Sequence, residues 1–147
     1  MKKFKFTLES LKKYNEQILD SEKNQLGRLR AELADINKAL ENKNLEYDQA
    51  IEKLEELLKS GTNVMRISLH KKYISSLQQD IYRIKAAIVQ KEEEVQAQLQ
   101  KVVDATKEVS KIEKLEEKQI EQYKYEEQKE SELFIEEFVS NSTFREN

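Results

Sequence analysis

Cysteine and proline are absent from this 147-residue chain, and glycine occurs only at Gly27 and Gly61. Without cysteine there can be no disulfide and no thiolate metal site, a composition that suits a reducing compartment. Without proline, and with so little glycine, almost nothing interrupts a helix, and turns and sheets have few places to form. No apolar run approaches the ~20 residues that cross a bilayer. The opening stretch MKKFKFTLESLKK also lacks the roughly 7 to 15 apolar residues of a signal-peptide core, so a cytosolic location is expected. Nor is there an excess of one charge. The chain has 26 basic and 29 acidic residues, interspersed, for a net charge of −3, which argues against nucleic acid as a partner. There is no glycine-rich phosphate loop, no serine has a plausible base, and two paired helices leave no enclosed pocket. The sequence therefore predicts no enzyme, no cofactor, no metal site and no small-molecule substrate.

Charged and hydrophobic residues are equally abundant at 37% each, too polar a balance for a compact globular core. The apolar residues are strictly ordered. Ile67, Ile74, Ile81, Ile88, Val95, Val102 and Val109 stand seven positions apart. A straight helix would drift roughly 20° per heptad off such a stripe, so a repeat kept this long means a left-handed coiled coil. With this stripe as position a, position d holds His70, Leu77, Ile84, Lys91, Gln98, Ala105 and Ile112. A weaker repeat precedes it, with a at Leu19, Leu26, Leu33, Leu40, Tyr47 and Leu54. Its d column is Leu8, Asn15, Glu22, Leu29, Ile36, Lys43, Ala50 and Leu57.

Between the repeats lie Ser60, Gly61, Thr62 and Asn63, where Gly61 can end one helix and Thr62 or Asn63 can cap the next. A short link returns the second helix antiparallel to the first, so a residues of one arm meet d residues of the other. Only the register in which paired numbers sum to 124 centres the fold on this turn. It sets Leu57 by Ile67, Ala50 by Ile74, Tyr47 by Leu77, Ile36 by Ile88 and Leu26 by Gln98. The polar d residues Lys43, Glu22 and Asn15 fall opposite Ile81, Val102 and Val109. A parallel homodimer would instead set Lys43 and Lys91 against themselves, which disfavours it, while association between hairpins stays open. The predicted fold is all-α, a long antiparallel two-helix coiled-coil hairpin: helix 1 about 4–59, turn 60–63, helix 2 about 64–139 and a frayed tail 140–147.

In this register Leu8 lies near Glu116, and the heptads fail after Ile112. Residues beyond about 118 are thus expected to project past the first arm, with Leu115, Ile120, Tyr123, Leu133, Phe134 and Phe138 available to another protein. His70, the only histidine, is expected at the seam edge near Leu54 with no ligand set around it. Acidic runs such as Glu92 to Glu94 read as solvated faces, because neighbouring carboxylates on a helix point apart. The basic opening Lys2, Lys3 and Lys5 around Phe4 and Phe6 reads as a partner contact, with too few charges for lipid. Tyr73 and Asp80, at g positions beside Leu77 and Ile84, either broaden the seam or form an interface.

The opening Phe4-Lys5-Phe6-Thr7-Leu8-Glu9-Ser10-Leu11 resembles the F-x-F-x-L-x-x-L start of the FliJ family of flagellar export proteins. Tyr73-Ile74, with Leu77 and Ile81 shortly after a glycine-containing turn, is similar too, as is Lys114-Leu115-Glu116-Glu117-Lys118 followed by Tyr123. Glu136-Glu137-Phe138 looks like the family's Asp-Glu-Phe with Glu for Asp, and Gln119 and Lys129 stand where arginines are common. The resemblance spans nearly the whole chain. It implies a two-helix coiled coil similar to the central stalk of rotary ATPases, acting in the type III export apparatus at the flagellar base. The implied partners are the hexameric export ATPase, the cytoplasmic domain of the export gate, and export chaperones. The implied location is cytoplasmic, peripheral at the inner face of the membrane through partners only. By position, Tyr73, Leu77, Asp80 and Ile84 would meet the gate. Phe4, Phe6, Leu8, Leu11, Leu115, Lys118, Tyr123, Glu136, Glu137 and Phe138 would meet the ATPase ring. The alternatives are a central or peripheral stalk subunit of a rotary ATPase, and a generic cytosolic coiled-coil scaffold.

Overall fold

The computed structural model describes residues 2–146. Two helices, α1 (Glu9–Ser60) and α2 (Val64–Glu146), pack against each other as an all-α hairpin, with no strand among the described residues. By contact the chain divides into two units, Glu22–Val102 and the terminal stretches Met1–Ser21 with Val103–Asn147.

In the Glu22–Val102 unit the turn forms where the sequence places it. Gly61 adopts φ +72°, a left-handed conformation that side chains disfavour. Asn63 caps α2, its Oδ1 accepting from the Arg66 amide at 2.8 Å. Ala50, Ile74 and Leu77 form the buried cluster, with Tyr47, Ile51 and Leu54 packed on it. This is the register in which Ala50 meets Ile74 and Tyr47 meets Leu77.

Burial follows the heptads as far as Tyr123: every a and d residue from Lys12 to Leu57, and from Ile67 to Tyr123, is buried or half-buried. The polar seam residues Gln98, Lys91 and His70 each have a partner. Gln98, 5% exposed, donates to the Glu22 carbonyl at 3.0 Å and to its carboxylate. Lys91 sits between Glu32 at 2.8 Å and Glu94 at 2.9 Å. These carboxylates hold the Lys91 ammonium above its ordinary 10.5, and the Lys91 hydrogen bond holds Glu32 below 4.5. His70 Nε2 donates to the Ala50 carbonyl at 2.7 Å.

The terminal unit departs from expectation in three ways. First, helix 1 begins at Glu9 rather than near residue 4, and residues 2–6 are not helical. Phe4, Phe6 and Leu8 alternate with polar residues, a period that suits extended chain: Phe6 is buried and its two apolar neighbours half-buried. Second, the heptad spacing does not stop at Ile112. Glu116, Gln119 and Tyr123 continue it as half-buried residues, polar enough to escape a search for apolar repeats. Third, α2 runs to Glu146, beyond the expected end at 139. No glycine or proline lies there to stop it, and Thr143 Oγ1 donates to the Val139 carbonyl at 2.9 Å. Asn147, the last residue of the expected frayed tail, lies outside the described residues.

Candidate interaction surfaces

At the terminal end, the extended N-terminal segment lies along α2. Lys12 pairs with Glu116 at 2.7 Å, and the Glu116 carboxylate holds the ammonium above 10.5. Thr7 and Gln119 are hydrogen-bonded at 3.2 Å. Phe4 stacks on Tyr123 with ring centroids 5.5 Å apart and planes tilted by 59°. The Tyr123 hydroxyl donates to the Lys2 carbonyl at 2.7 Å. Burial, then the nearby Glu127 and Glu130 carboxylates, holds this phenol above its ordinary 10.0.

The projection of α2 therefore begins after Tyr123, not near 118. The N-terminal segment lies against α2 that far, Thr7 on Gln119 and both Phe4 and Lys2 on Tyr123. From Lys124 to Thr143 every side chain is exposed. Among them are Leu133 at 58%, Phe134 at 70% and Phe138 at 68%, with Ile135 and Val139 also more than half exposed. So dense an apolar run, set among glutamates, is unusual for a surface with nothing to meet.

The residues assigned to the ring contact are thus of two kinds. Phe6 is buried, while Phe4, Leu8 and Tyr123 are half-buried in the hairpin's own packing. Leu11, Leu115, Lys118, Glu136, Glu137 and Phe138 are exposed. The residues assigned to the gate contact divide likewise. Leu77 is 2% exposed and belongs to the core cluster, and Ile84 is half-buried in the seam. Tyr73 is 48% exposed, and Asp80 pairs with Lys43 at 3.6 Å on the flank. Only Tyr73 and Asp80 offer a partner more than their edges.

Sequence reasoning passed over a second apolar surface. Leu58, Val64, Met65 and Leu69 are 55 to 81% exposed around the turn. They fall off the a and d columns, so a search for heptads discards them, and only their density within a dozen residues could have marked them. Among the described residues no cluster could hold a metal ion, and no helix is long and apolar enough to cross a membrane.

Two long helices paired by heptads define a helical coiled-coil hairpin, with exposed apolar side chains beside the turn and on the C-terminal part of α2. Residues 4–147 match the family described as Flagellar FliJ protein, and the chain belongs to that family of flagellar, export-related proteins. No curated protein and no solved structure matched it.

Proposed function

We propose that this chain is a non-enzymatic coupling element of the flagellar type III export apparatus. It links the hexameric export ATPase to the cytoplasmic domain of the export gate and assists the cycling of export chaperones. On this reading it lies in the cytoplasm, at the inner face of the membrane, held there by its partners. The terminal end meets the ATPase ring through Leu11, Leu115, Lys118 and the stretch ending in Glu136, Glu137 and Phe138. Phe4, Phe6, Leu8 and Tyr123 act behind them by setting the path of the N-terminal segment. Tyr73 and Asp80 meet the gate, with Leu77 and Ile84 supporting them from the seam.

Family membership supports the apparatus, and one observation carries the ring contact: the exposed Leu133, Phe134 and Phe138 on the unaccompanied end of α2. Burying one such side chain is worth about 1.5 to 3 kcal/mol, so three suffice for a specific anchor. Truncation after Glu126 tests this while keeping the Phe4–Tyr123 contact. The shortened chain should stay helical with an unchanged melting temperature and lose its stimulation of ATP hydrolysis by the export ATPase. Stimulation equal to that of the full chain would refute the ring assignment.

A further inference from the structure

The two exposed apolar surfaces carry opposite charge. From Val64 to Gln79 the sequence holds Arg66, Lys71 and Lys72 and not one acidic residue, in a chain whose net charge is negative. Helical spacing sets Met65, Leu69 and Tyr73 along one row, and all three are exposed, at 74%, 60% and 48%. Arg66 and Lys72 flank this row. Arg66, Lys71 and Lys72 are all exposed.

Far along α2, residues 126–139 hold six glutamates and one lysine. That lysine, Lys129, is folded over the Tyr125 ring at 5.1 Å. Phe134 and Phe138 stand one turn apart on the same face, Glu130 continues their row one turn earlier, and Glu137 flanks it. Glu127, Glu130, Phe134 and Glu137 line one hollow.

We infer that these surfaces fit each other across two molecules: the Phe134–Phe138 row of one copy docks on the Met65–Leu69–Tyr73 row of a second copy. Both rows repeat every four residues, so their ridges can interlock as in ordinary helix packing. The acidic rim of one then faces the cations of the other. An acidic apolar helix is what the face near the turn requires, and this chain carries one. The contact joins unlike surfaces, so each copy has one of each to offer. It also covers the residues proposed for the ATPase ring, so a self-associated pool would be withheld from the ring. The inference itself rests on the two surfaces and not on that reading.

Sedimentation equilibrium of the full chain over a rising concentration series tests this. The wild type should exceed the monomer mass at low salt and return toward it near 1 M salt, where the screening length is about 3 Å. Arg66→Glu with Lys72→Glu, and separately Glu130→Lys with Glu137→Lys, should each weaken association at least about tenfold. All four sites are on the surface, so far-UV circular dichroism should show wild-type helicity. A mixture of the two double variants should restore a species of twice the monomer mass, because each keeps the surface the other has lost. A wild type that stays monomeric, or variants that associate as the wild type does, would overturn the inference. Sedimentation with phosphatidylglycerol vesicles supplies the rival occupant. Vesicle binding that is lost in the Arg66→Glu, Lys72→Glu chain, with the wild type monomeric throughout, would assign the basic face to an anionic bilayer instead.

Discussion

Leu77→Ala separates packing from recognition at the proposed gate contact. Leu77 is 2% exposed and sits with Ala50 and Ile74 in the core cluster, under Tyr47, Ile51 and Leu54. Truncation to alanine removes three carbons, about 2.4 kcal/mol at ~0.8 kcal/mol each. The vacated space adds about 24 cal/mol per Å3 for whatever the neighbours fail to fill, and a seam only two helices thick can close part of it. The total is about 2.5 to 4 kcal/mol. For a chain of this length that corresponds to a fall of roughly 8 to 15 °C in melting temperature. Tyr73→Ala, one helical turn away but 48% exposed, should move the transition by no more than about 2 °C. Melting followed at 222 nm measures both, and capture by the gate's cytoplasmic domain is measured well below either transition. Tyr73→Ala should lose capture while keeping stability. A Leu77→Ala chain that melts within about 2 °C of wild type would refute the burial reasoning.

Other perturbations reach other parts of the molecule. Gly61→Ala should lower the urea midpoint by the equivalent of about 1 kcal/mol through backbone strain alone, since a Cβ there meets nothing within 4 Å, and Gly61→Asn should cost less. Cysteines at positions 36 and 88 should form a disulfide within one chain, read by non-reducing electrophoresis; exclusively intermolecular products would refute the register. Glu32 titrates below its ordinary 4.5 because Lys91 bonds it, so its contribution to stability is complete above that value and is lost as pH falls below it. Wild type should therefore lose more stability than Glu32→Gln on going from about pH 6 to about pH 3. On the alkaline side Lys91, raised above 10.5, keeps its contribution up to that value and loses it as pH rises further.

The paired part of the fold was legible in the sequence because one physical constraint, a seam that must stay apolar on average, repeats every seven residues from Ile67 to Val109. One glycine then located the turn, and the register followed from it. Legibility ended where a different rule took over. Phe4, Phe6 and Leu8 obey a period of two, which announces extended chain, but the long helical pattern beside them invites a single reading. Glu116 and Gln119 hold seam positions with polar side chains, and their role shows only once Lys12 and Thr7 are seen against them. The candidate contacts were least legible of all. Leu77 and Tyr73 lie four residues apart in one motif, yet one is core and the other surface, and composition does not say which neighbours cover a side chain.

The order of contacts along the hairpin also fixes an order of events. His70 meets Ala50 across 20 residues of chain, Lys91 meets Glu32 across 59, and Tyr123 meets Lys2 across 121. Contacts near the turn close the smallest loops and can form first, each then shortening the search for the next, as in a zipper started at Gly61. Opening runs the other way. On that order the Phe4–Tyr123 clasp, which closes the longest loop, would engage last and release first, by local opening rather than global unfolding. Hydrogen exchange should therefore rise steadily from the turn toward the termini, and the end proposed to meet the ATPase is the one the molecule can most cheaply rearrange.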